Sequence, residues 1–135
     1  MNHSIEESAR KRIEREAKSL IKYGYGTVCS EKENELGLCL FHYKQKDKSL
    51  YLRTRGLEWG SEKVFFKEIE KVGFASLKEI TLLGAKAARK EMDIELSMQN
   101  GNRIKLTFPF PVFSILATLL HQLAELSKSS PENHK

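Results

Sequence analysis

At 135 residues the chain has room for one domain of ordinary size, and 40% hydrophobic against 30% charged residues gives a core under a well-solvated surface. The formal charge of +5 and the pI near 9.2 permit an acidic partner, a phospholipid surface or a nucleic acid, without requiring one, since the basic residues are spread along the chain. The longest apolar stretch, Val112 to Leu120, is interrupted by Ser114 and Thr118 and falls short of the about 20 apolar residues that a bilayer crossing takes.

The opening residues, Met1 to Glu7, contain no apolar core of a signal peptide, so a cytoplasmic location is expected. Under that expectation Cys29 and Cys39 are reduced and serve as small buried hydrophobes rather than as a disulfide. From residue 4 to residue 22, Ile5, Ala9, Ile13, Ala17 and Leu20 or Ile21 recur at steps of three and four, which predicts an amphipathic helix with a narrow stripe. Ser4 and Glu7 have capping-box spacing, and Tyr23-Gly24-Tyr25-Gly26 ends the helix.

Beyond the glycines the period becomes two. Leu36, Leu38 and Leu40 alternate with Gly37, Cys39 and Phe41, predicting a strand covered on both faces, and Lys44 to Lys48 is a solvated turn. With Arg53-Thr54-Arg55-Gly56 as a hairpin loop, Leu52 faces Leu57 and Leu50 faces Trp59, and every apolar side chain lands on one face. Gly56 is then available for positive φ. Val64 and Phe66 continue the alternation, and Ile69, Val72 and Phe74 follow a bend. Residues 76 to 90 read either as a helix or, slightly better, as a strand and a loop.

The last hairpin is the clearest element. Met92, Ile94, Leu96 and Met98 share a face, as do Ile104, Leu106 and Phe108 on the partner. A two-residue Asn100-Gly101 loop sets Glu95 against Leu106, whereas a three-residue loop, Gln99-Asn100-Gly101, pairs Leu96 with Ile104 and Glu95 with Lys105 and puts Gly101 in the left-handed position. Pro109 and Pro111 stop the strand, and an apolar helix follows to about Ser127 before a polar tail.

This order of elements resembles a bacterial pleckstrin-homology-like (PH-like) domain. The matching segments are Leu50 to Gly60, Val64 to Val72, and the paired strands that end in an amphipathic helix. The resemblance implies an α+β, mainly β architecture: a bent antiparallel sheet or barrel plugged by a C-terminal helix. The N-terminal helix lies outside that pattern. The expected organisation is therefore a helix and turn over residues 1–26, a PH-like domain over 27–127 and a tail over 128–135.

Members of such a family that bind inositol phosphates use basic residues around the first hairpin. The corresponding candidates are Lys44, Lys46, Lys48, Arg53 and Arg55, whose ammonium and guanidinium groups suit phosphate oxygens. No recognisable catalytic arrangement, metal-ligand spacing or phosphate-cradling glycine loop stands out. His42 and His121 lack paired ligands, and Asp93 and Glu95 face Lys105 and Arg103 as a cross-strand charge set. The expectation is a non-enzymatic binding module without cofactor or metal that recognises a protein partner, including another copy of itself, with an anionic phospholipid or phosphate headgroup as the alternative and nucleic acid not expected. The expected surfaces are the N-terminal helix and any open sheet edge.

Overall fold

The computed structural model describes residues 2–45, 48–74 and 91–128. Helix α1 spans Asn2–Lys22. Strands β1 (Cys39–Lys44), β2 (Ser49–Arg53), β3 (Gly56–Trp59) and β4 (Glu62–Phe65) follow. A 3-10 turn, Phe66–Glu68, leads into β5 (Ile69–Phe74), β6 (Glu91–Met98) and β7 (Arg103–Pro109), and helix α2 spans Phe110–Lys128. Lys46, the ambiguous segment 76–90 and most of the tail lie outside the described residues.

The fold is α+β, as the pattern of alternation and the two helical stripes predict, and among the described residues the strands form two antiparallel sheets rather than one closed barrel. One sheet runs β1-β2-β3-β4 and the other β5-β6-β7. The 3-10 turn separates them: it turns the chain after Phe65, so that Ile69 pairs with Met98. Phe66 within it is buried, and its amide donates to the carbonyl of Arg55 at 3.0 Å.

Both hairpin registers follow the apolar pattern. Leu50 pairs with Trp59 and Leu52 with Leu57, while Leu96 pairs with Ile104 and Glu95 with Lys105 across a loop whose Gly101 has φ +93°. Gly56, in contrast, has no positive φ. Its hydrogen is required for space, because a Cβ there would collide with the carbonyl oxygen of Val64 and with Leu36 Cδ2.

The expected strand from Leu36 is a correction. Gly37 at φ +99° turns the chain, Asn34 and Gly37 bridge across that turn, and β1 begins only at Cys39. Leu36 is fully buried and Leu38 is exposed. Apolar alternation there reflects one side chain plugged under a turn rather than a ladder. At the N-terminus, Ser4 lies within α1 instead of capping it.

Val112, Phe113, Leu116, Ala117, Leu119, Leu120, Leu123 and Ala124 of α2 are buried, each large side chain contributing roughly 1.5–3 kcal/mol. They pack on β5, β6, β7 and the 3-10 turn. Counted over its 19 residues, α2 is long and apolar enough to cross a membrane, which the shorter stretch considered in the sequence was not; here its apolar side is the core helix of the domain. Helix α1 covers α2 and β1, burying Ala9, Ile13, Ala17 and Leu20 in the same core. Its apolar stripe is therefore occupied by its own chain.

The molecule has two recognisable ends. At one, Gln45 Nε2 of the β1–β2 turn donates to the carbonyl of Thr107 in β7 at 2.7 Å, joining the sheets. The β3–β4 turn lies there too, with the amide of Gly60 donating to the carbonyl of Ser49 at 3.2 Å. At the other, the β2–β3 turn meets the 3-10 turn, and the amide of Gln99 donates to the carbonyl of Glu68 at 2.9 Å.

Candidate functional site

The five basic residues singled out in the sequence are not brought together. Lys44 ends β1 and Lys48 precedes β2, both exposed at the first end. Arg53 and Arg55 lie at the second end, across a five-residue strand that covers roughly 16 Å at about 3.3 Å per residue. Turns adjacent along the chain are opposite in space, because a single strand separates them. Lys48 Nζ stands 5.6 Å from the centroid of the Trp59 ring, and that ring meets Phe108 edge-on at 5.3 Å.

Arg53 is 3% exposed and its guanidinium is committed to the fold. Nε donates to Glu58 Oε1 at 3.2 Å, and Nη1 donates to the carbonyls of Lys32 at 2.8 Å and Gly37 at 3.1 Å. The other carboxylate oxygen of Glu58 accepts from Asn34 Nδ2 at 3.1 Å. A desolvated guanidinium held by a carboxylate and two carbonyls has no fork to offer a phosphate. Arg55 is exposed, but Nη1 donates to both carboxylate oxygens of Glu6 in α1, at 3.1 and 3.3 Å, and Nε to the carbonyl of Glu35 at 3.2 Å. The buried Thr54 adds Oγ1 to Glu6 Oε2 at 2.9 Å. The β2–β3 turn thus anchors the helix.

Cys29 and Cys39 form a disulfide, with Cα atoms 5.5 Å apart, which overturns the expectation of two reduced cysteines. The bond closes a loop over residues 29–39 that carries both carbonyl partners of Arg53 as well as Asn34, Glu35 and the buried Leu36. Just before it, Thr27 bridges His42 on the outer edge of β1, with N to O distances of 2.8 and 2.9 Å in the two directions. His42 stacks on Tyr51 at 4.4 Å.

This stapled loop carries exposed apolar side chains beside its cysteines. Val28 is 74% exposed and Leu38 is 43% exposed, each one residue from a disulfide-bonded cysteine. Glu31 and Glu33 are exposed on the same loop. Glu35 is paired with Lys63 Nζ at 2.9 Å, and that hydrogen bond holds its carboxyl below the usual range. Nothing in the sequence marks Val28, which stands between Thr27 and Cys29, and Leu38 sits in an alternation that reads as a covered strand. Only the turn at Gly37 and the cross-link turn them outward.

The remaining titratable residues form ordinary contacts. Asp93 accepts from Thr107 Oγ1 at 2.8 Å and lies 3.9 Å from Lys105 Nζ, the cross-strand pairing expected of that face. His121 lines a shallow groove between the helices with Arg12, Gln122, Glu125 and Leu126, where Arg12 Nη1 donates to Gln122 Oε1 at 3.2 Å. Burial raises the Tyr43 phenol above its usual range, with the charges of Tyr25 and Glu91 adding to the shift. Among the described residues no cluster of three or more His, Cys, Asp or Glu could hold a metal ion. Comparison with family models, with curated proteins and with solved structures finds no match to this chain.

Proposed function

We propose that the chain is a non-enzymatic binding module of PH-like type that recognises a protein partner through the stapled loop around Val28 and Leu38. The PH-like reading is supported by the four-strand and three-strand antiparallel sheets and by the terminal helix packed against the second sheet. The observation that carries the functional reading is a pair of apolar side chains held in water at either end of a covalent link. Their rigid backbone lowers the ordering cost of association, and exposed apolar groups rimmed by polar residues mark interaction surfaces. Glu31 and Glu33, with the exposed Lys32 between them, leave that rim with a small acidic excess, which favours a partner with basic residues around an apolar pocket.

The test is capture on the immobilised oxidised chain, compared with a Val28→Asp/Leu38→Asp variant, with mass measurement of what is retained. A partner held by the parent and released by the variant is expected, because both positions are solvent-facing, and an unchanged melting curve checks that the variant is folded. Identical retention by the two proteins would sink the assignment of this surface. A sedimentation run on the purified chain distinguishes a foreign partner from a second copy.

A further inference from the structure

We infer that the outer face of α1 is an anion-docking surface whose occupant is an anionic phospholipid membrane. Over its whole length α1 carries six basic and four acidic residues, and its outer face sets Lys11, Arg15, Lys18 and Lys22 against the exposed Glu7 and Glu14. Lys11, Arg15, Lys18 and Lys22 recur at steps of four, three and four, and all are exposed. At about 1.5 Å per residue they form one line roughly 16 Å long. They stand opposite the buried stripe of Ala9, Ile13, Ala17 and Leu20.

The acids on this helix offset the line at Arg15 and leave its lysines unpaired. Glu14 is paired with Arg10 and Glu16 with Arg15, both at 3.3 Å, while Lys11, Lys18 and Lys22 make no ion pair among the described residues. The apolar side of α1 is taken by α2 and β1, so insertion between acyl chains is not the mode. What remains is a flat row of ammonium groups, point charges suited to a diffuse headgroup field rather than to a two-pronged fit on one phosphate.

A nucleic acid is the weaker occupant. Base stacking needs aromatics interleaved with the cations, and among the described residues no aromatic stands within the row, Tyr23, 69% exposed, lying just past its end. A tyrosine at that position suits the wet border of a membrane. The row also runs toward the end of the molecule where Lys44 is exposed, since Thr27, a few residues past the helix, bridges His42 in β1.

The experiment is co-sedimentation of the full chain with phosphatidylserine-containing and with pure phosphatidylcholine vesicles, over a series of salt concentrations. Binding to the anionic vesicles alone is expected, weakening as the Debye length shrinks from about 30 Å in dilute buffer to about 8 Å at physiological salt. Lys11→Gln/Lys18→Gln/Lys22→Gln should weaken partitioning roughly hundredfold, about fivefold for each charge taken from the headgroup field. Lys44→Gln/Lys48→Gln should change it far less. These side chains are in solvent, and an unchanged melting curve checks that each variant is folded; Lys18→Gln/Lys22→Gln serves should the triple variant melt early. The inference is overturned by a parent chain that ignores anionic vesicles, by a folded triple variant that binds like the parent, by loss confined to the Lys44/Lys48 variant, or by binding to a single-stranded oligonucleotide without binding to vesicles. None of these readouts touches Val28 or Leu38, so the outcome is independent of the protein-partner surface.

Discussion

Replacing Arg53 by methionine would leave Glu58 without its counter-charge and the carbonyls of Lys32 and Gly37 without donors, at a site only 3% exposed. Removing one member of a buried ion pair costs about 3–5 kcal/mol. The expected result is a fall of that size in unfolding free energy, measured by urea denaturation with the slope unchanged. A loss below about 1 kcal/mol, the level of a surface pair, would show that the guanidinium is not desolvated. At this scale the sequence was least legible. Arginine in a turn between two strands reads as a solvated ligand for phosphate, and nothing in Arg53-Thr54-Arg55 distinguishes the residue that folds inward from the one that reaches out to Glu6. The reason is that both partners come from elsewhere: the carbonyls from a loop some twenty residues earlier, and the carboxylate of Glu6 from another helix. The cysteines were illegible for the same reason. A disulfide depends on the approach of two Cα atoms, which spacing along the chain does not specify.

Elements were read better than residues. The Leu50–Trp59 and Leu96–Ile104 pairings follow from the pattern alone, because a one-residue slip would turn every apolar side chain of the strand to the wrong face. The same reasoning failed at Leu36–Leu40, where alternation continues through a glycine turn that is not a strand. It also pointed to one curved sheet where the described strands form two, since period two says which face is apolar but not which strands share a ladder. The loop between α1 and β1 is the element whose stability rests most on a single bond. Its cross-link encloses few residues, and closing a loop of that size in the unfolded chain is worth roughly 3 kcal/mol. Cys29→Ser/Cys39→Ser, or reduction of the parent, should lower the unfolding free energy by about that amount. A reduced protein that matches the oxidised one in its denaturation midpoint would show that Leu36 and Arg53 hold the loop unaided.

For the molecule as a whole, the N-terminal helix lies outside the PH-like pattern, yet its narrow stripe belongs to the common core, where Ile13 is fully buried. Ile13→Ala should therefore destabilise the entire domain, by about 2–5 kcal/mol for a truncation at a packed site. The unfolding curve should remain one transition, with probes on α1 and on β6 coinciding. Two separated transitions would mean that the helix is a peripheral attachment. Among the described strands each pairing joins neighbours in the order given above, an arrangement of mostly local contacts that favours rapid folding. The bond from Arg12 to Gln122 is of another kind, spanning 110 positions along the chain. A ribosome delivers the two partners far apart in time. The first helix can meet β1 early, but its contacts with α2 must wait until residues beyond 120 have emerged. The interval before that closure is the period in which a chaperone would find its binding site on the nascent polypeptide.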